Sequence, residues 1–174
     1  AQGAAMGTGT RTDHEIIGGT HDLLINNSLA ELMQKNLEKV GGVTYTAEEL
    51  DFAGKIQSGL GFLAPPIASA GEVQPLNKET GETMGSTDVG DVSYTVPTVG
   101  LQAATWVPGT PAHSWQAVAC GGTEIGTKGM MVAAKTMALT AIDLLMHPAE
   151  LEKAKAEFDK SRGAGFKYIP LLGD

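Results

Sequence analysis

Between Ser28 and Gly42 the chain reads SLAELMQKNLEKVGG, and Leu29, Leu32, Met33, Leu37 and Val40 recur at the three- and four-residue steps of one helical face. Ser28 followed by Glu31 has the form of a capping box, and Gly41-Gly42 supplies a stop. TAEELDFAGKIQSGLG repeats the device, with Thr46 and Glu49 as the box and Leu50, Ala53 and Ile56 turned inward. From about 59 to 90 the periodicity gives way to glycine, proline and polar residues, a long surface loop. DVSYTV and TVGLQAATWV then read as strands, the second nearly continuous in small and apolar residues, as for a strand covered on both faces. A long apolar helix spans about 126 to 146 and closes at His147-Pro148, and a charged helix (AELEKAKAEFDKSRG) and the tail FKYIPLL follow. Ahead of all this, residues 1–20 offer a small-residue helix (AQGAAMGT) and a short strand around HEIIGG. Helices mixed with strands imply an α/β layer arrangement.

Composition narrows the function classes. The chain of 174 residues is 42% hydrophobic and 18% charged, enough for one domain or one and a fraction with a real core. Its net charge of −8 and lack of a Lys/Arg cluster disfavour nucleic acid as a partner. The single cysteine, Cys120, excludes an internal disulfide and fits a reducing, cytoplasmic setting. The most apolar run, MMVAAKTMALTAIDLLM, contains Lys135 and Asp143 and falls short of the roughly 20 residues a bilayer crossing needs, so a buried helix and no membrane partner are expected. The start AQGAAMGTGT has no signal-peptide order and reads like the inside of an element of a longer protein.

Few residues carry chemistry by pattern alone. HEII lacks the second histidine of a zinc helix, because Gly18 stands four residues after His14. GGTEIGTK approaches a phosphate loop but places Lys128 after Thr127, so a helix N-terminus with glycine packing is the better account. Cys120 has small apolar neighbours before it, the setting of an inert buried thiol. GSTDVGD brings Ser86, Asp88 and Asp91 into a glycine-rich turn, where Asp88 either orients a ligand or bonds nearby backbone amides. His113 ends PGTPAH, a loop whose prolines limit backbone freedom. It is a metal-ligand candidate or an ordinary loop residue, and Trp115 beside it walls a pocket or packs on the fold.

The order of these signals is more specific than any one of them. A helix opened by Asn26-Asn27-Ser28 and closed by Gly-Gly, then GSTD, a strand, a Pro-Gly loop ending in histidine and a long closing helix resembles the C-terminal half of the M20 family of metal-dependent amidohydrolases and peptidases. GSTDVGDVSYTVPTVGLQAATWVPGTPAHSWQ and KGMMVAAKTMALTAIDLL resemble most its aminobenzoyl-glutamate utilization subgroup.

The resemblance implies an M20-type catalytic domain with a central sheet flanked by helices, residues 26–174 being its C-terminal part and residues 1–25 the last helix and strand of a ferredoxin-like lid and dimerisation domain. It implies two divalent ions, zinc or manganese, with His113 as the ligand from the C-terminal half. Gly85, Ser86, Gly109, Thr110 and Trp115 then face the substrate, and Asp88 is a supporting or structural residue beside them. The implied substrate is a small amide, an N-acyl or N-aroyl amino acid such as p-aminobenzoyl-glutamate, and the implied assembly a homodimer. The proton-shuttling glutamate and the other metal ligands are expected in an N-terminal half that precedes Ala1, so these residues alone are expected to be inactive and to leave an apolar face where that half docks. The alternative is a non-catalytic binding or interaction domain with an M20-like skeleton.

Overall fold

The computed structural model describes residues 1–78, 85 and 87–172. Seven α-helices form among them: α1 (Gln2–Thr8), α2 (Asn27–Val40), α3 (Ala47–Ser58), α4 (Val89–Ser93), α5 (Trp115–Gly121), α6 (Glu124–Met146) and α7 (Pro148–Arg162), with a 3-10 turn at Ile67–Gly71. Helices α2, α6 and α7 pack on one another, α5 packs on α6, and the 3-10 turn lies against α3.

The expected α/β architecture is overturned: among the described residues there is no strand and no central sheet, and β pairing is limited to one antiparallel bridge, Gly18 with Leu172. Each strand reading fails for its own reason. The first half of DVSYTV falls into α4, because the Ser93 hydroxyl donates to the Gly90 carbonyl at 2.6 Å and accepts the Leu24 backbone N–H at 2.8 Å, fixing a helical turn against the chain around His21. Gly90 allows that approach, since a Cβ there would collide with the His21 carbonyl oxygen. TVGLQAATWV runs without a ladder partner, crossing α6 where Gly129 leaves room for the Ala104 carbonyl. HEIIGG holds only the Gly18 bridge and a hydrogen bond from Gly19 N–H to Leu171 O at 2.6 Å. A strand exists through its partner's hydrogen bonds, and apolar pattern without a partner is irregular chain.

The helices follow their sequence signals more closely. Thr46 and Glu49 form the expected capping box on α3. The cap of α2 differs from expectation: Asn26 accepts the Leu29 N–H at 3.0 Å and donates to the Ala154 carbonyl at 2.8 Å, and Glu31 turns instead to Lys78. Leu29, Leu32 and Met33 are buried as the periodicity predicts, but Asn36 beside them is fully buried too. Its amide donates to Asp143 at 2.8 Å and to Thr140 at 3.3 Å on α6, so the α2–α6 contact is a partly polar one.

Helix α6 also departs from expectation. It is not a buried helix: one face, with Ile125, Gly126, Gly129, Thr136 and Thr140, meets the rest of the chain, while Met130, Met131, Met137, Ile142, Leu145 and Met146 are exposed. At 23 residues it is long and apolar enough, by length and composition, to cross a bilayer. The small core involves only the first turn of α6, where Ile125 meets Ala53 and Ile56 of α3, Val107 and Cys120.

Candidate functional site around His113

Val107 is the root of the candidate loop, buried at 1% exposure against α3. From it the chain turns at Pro108 and Gly109, closed by a hydrogen bond from Thr110 N–H to Val107 O at 3.0 Å. Gly109 has φ 88°, a conformation open to glycine, and a Cβ on it would lie 2.8 Å from the Ala64 Cβ, so the loop presses on the Ala64–Pro65 segment. The Thr110 hydroxyl is buried there and makes no hydrogen bond among the described residues.

At the far end, Ser114 caps α5: its hydroxyl accepts the Ala117 N–H at 3.2 Å and donates to the Pro111 carbonyl at 2.7 Å. His113 stands between these anchors, exposed, with φ 59°. Among the described residues it is the one non-glycine residue in the left-handed region, where a β-carbon costs roughly 1–2 kcal/mol. Trp115 opens α5 and is 66% exposed, a wall toward solvent and not part of the core.

The other candidates lie apart in the hydrogen-bond network. Asp88 is exposed at the start of α4 without a side-chain cap, its carbonyl accepting the Asp91 N–H at 3.1 Å, while Thr87 accepts the Val89 N–H at 3.3 Å. Gly85 is exposed, and Ser86 falls outside the described residues. No hydrogen bond or ion pair among the described residues joins this segment to His113. A shallow groove of about 200 Å³ is lined by Val43, Tyr45, Leu50, Ile67 and Ala70, and none of Gly109, Thr110, His113 or Trp115 lines it. No three His, Cys, Asp or Glu side chains stand together among the described residues as a cation site, so His113 offers a single imidazole and a metal there needs further donors.

The near-motifs resolve as structural. Lys128 donates to Glu49 at 2.6 Å and to the Thr44 carbonyl at 2.9 Å, tying α6 to the α3 cap, and this ammonium, with the Thr46 amide, holds the Glu49 carboxyl below its usual range. Cys120 is fully buried in the core. Nearby, burial pushes the Tyr45 phenol up, with Cys120 and Glu49 adding to the effect. Gln57, which no motif singled out, donates to the carbonyls of Pro65 at 2.8 Å and Pro108 at 3.0 Å beneath the His113 loop.

Comparison with known proteins gives an informative relative, a p-aminobenzoyl-glutamate hydrolase subunit of Escherichia coli (strain K12), 32% identical over 194 aligned residues that take in 98% of this chain. The chain is a homologue of that hydrolase subunit. It spans 40% of the relative's length. No family model matches the chain, and no solved structure matches it. The homology thus runs through the His113 loop, α5 and α6 alike, because the alignment covers nearly every residue of the chain.

Proposed function

We propose that this chain forms part of a metal-dependent amidohydrolase that cleaves the amide of an N-acyl or N-aroyl amino acid, p-aminobenzoyl-glutamate being the best-supported substrate. The observation that carries the reading is the 32% identity over 98% of the chain to a hydrolase named for that substrate. The His113 loop adds a physical argument, since an exposed imidazole on a backbone held in the left-handed region between two anchored ends is suited to meeting a ligand.

In this reading His113 is one metal ligand, and polypeptide beyond these residues supplies the remaining donors and the proton-transfer group. Divalent ions, zinc or manganese, would supply water activation and carbonyl polarisation when bound. Thr110 and Trp115, near His113 along the chain, belong to the same proposal as residues facing the substrate. An M20-type assembly, a homodimer and a cytoplasmic setting belong to the same proposal.

The test is release of p-aminobenzoate from p-aminobenzoyl-glutamate by the protein that carries this sequence at its natural length, before and after chelation and with His113→Ala. Activity that chelation abolishes and that falls at least about a hundredfold in His113→Ala supports the reading. Full activity after chelation sinks the metal-dependent part, and no turnover of any acyl-amino acid points to the binding-domain alternative.

A further inference from the structure

We propose that Gln57 is a positioning residue that holds the His113 loop, an inference that rests on the reading of His113 as a ligand. Two loops meet at this end of α3, one containing Pro65 and Pro66, the other Pro108 and Pro111. Proline has no N–H, so four of the positions that could lace the loops together through the backbone have no donor to give. Among the described residues no backbone hydrogen bond joins one loop to the other: Ser69 N–H returns to Pro66 O at 3.0 Å and Thr110 N–H to Val107 O at 3.0 Å, each within its own segment.

The missing donors come from one side chain. Gln57 lies in the last turn of α3 and is half-buried. A primary amide carries two hydrogens on one nitrogen, and Gln57 Nε2 spends them on the Pro65 and Pro108 carbonyls, at 2.8 and 3.0 Å. Where the amide pulls the loops together, Gly109 supplies the room, its bare Cα facing Ala64. Pro108 is therefore fixed from below by Val107 in the core and from the side by Gln57. With Ser114 fixing the other end through Pro111, the short run that carries His113 is held at both ends. Take away the two donors and one end is released.

Amide hydrogen exchange at Thr110 and the φ-sensitive scalar coupling of His113, read by NMR on the 174-residue chain, test this in wild type, Gln57→Leu, Gln57→Glu and Gln57→Lys. Gln57→Leu and Gln57→Glu are expected to speed Thr110 exchange roughly tenfold and to average the His113 coupling, with Ala53 and Ile56 amides of α3 unchanged. Gln57→Lys, which returns donors to both carbonyls, is expected to recover most of the protection. An unchanged Thr110 amide in Gln57→Leu overturns the proposal. So does a loss of protection at Ala53 and Ile56, because the side chain would then support the helix and not the loop. Zinc titration followed on the His113 ring in the protein that carries this sequence at its natural length, where the remaining donors are present, checks the ligand reading separately: an unmoved His113 signal there removes that reading while leaving the loop measurement to judge Gln57.

Discussion

Ser28 donates its hydroxyl hydrogen to Glu157 at 2.6 Å, which places a carboxylate of α7 on the N-terminus of α2. The same carboxylate accepts the backbone N–H groups of Asn27 and Ser28 at 2.9 and 2.8 Å and the Asn27 amide at 3.0 Å. Burial works to raise its pKa, but the donors from Ser28 and Asn27 overcome it and hold the carboxyl at about 2. Four donors and the positive end of a helix dipole all favour the charged form.

The folded carboxyl is thus depressed below its ordinary 4.5, so its stabilisation is full above that pH and is lost as pH falls from about 4.5 toward 2. Glu157→Gln is expected to cost about 1–2 kcal/mol at neutral pH, after discounting the full linkage value for solvent screening. Thermal melts of both chains between pH 2 and 7 should show the gap closing at the acid end. A constant gap would mean that shape, and not charge, holds the contact.

Asn36 governs the α2–α6 contact. Its carbonyl oxygen accepts from Lys39 at 2.9 Å while its amide serves Thr140 and Asp143. Asn36→Leu leaves Asp143 and Thr140 short of donors and should cost roughly 1–3 kcal/mol in urea unfolding. Adding Asp143→Leu should restore part of that loss, a coupling the double-mutant cycle reads directly.

Among the described residues the exposed His113 side chain makes no hydrogen bond or ion pair, and its backbone angle favours a residue without a β-carbon. His113→Gly is expected to melt within about 1 °C of wild type or slightly above it, whereas β-branched His113→Val should lose roughly 1–2 kcal/mol. If His113→Gly proved clearly destabilised, the imidazole would have a packing role that its exposure does not show.

The outward face of α6 predicts association. Met130, Met137, Ile142 and Leu145 exceed what a lone polar surface carries, at 55%, 51%, 53% and 81% exposure. The 174-residue chain should self-associate at micromolar concentration and bind a hydrophobic dye. Met137→Lys with Leu145→Lys should reduce both in sedimentation and fluorescence measurements, without lowering the melting temperature by more than a few degrees. Monomeric behaviour of the unmodified chain would contradict the prediction.

The sequence was most legible where information is local. The period of α2, the Thr46–Glu49 box of α3 and the proline break before α7 all act within a few residues, and all appear in the fold. Long-range competition spoiled the rest. Glu157, more than a hundred residues away, takes the N-terminus of α2 that Glu31 was expected to serve. TVGLQAATWV has strand composition but no partner, and DVSYTV yields to the Ser93 and Gly90 contacts. At the site, the proline loop advertised His113, whereas Gln57 looked like any polar helix residue. The usable signal was an indirect one: two loops dense in proline need a donor from outside themselves.

The single bridge between Gly18 and Leu172 ties the beginning of the described chain to its end, and His21 reinforces it by meeting Phe166 at 5.9 Å and Tyr168 at 5.9 Å between ring centroids. Nearly the whole polypeptide is enclosed by that closure, so its entropic cost is large until the helices between have condensed. In kinetic terms it is expected to act as a clasp that fastens last and opens first. Limited proteolysis should cut beyond Gly163 well before it reaches α2, α6 or α7, the order expected of a clasp less stable than those helices.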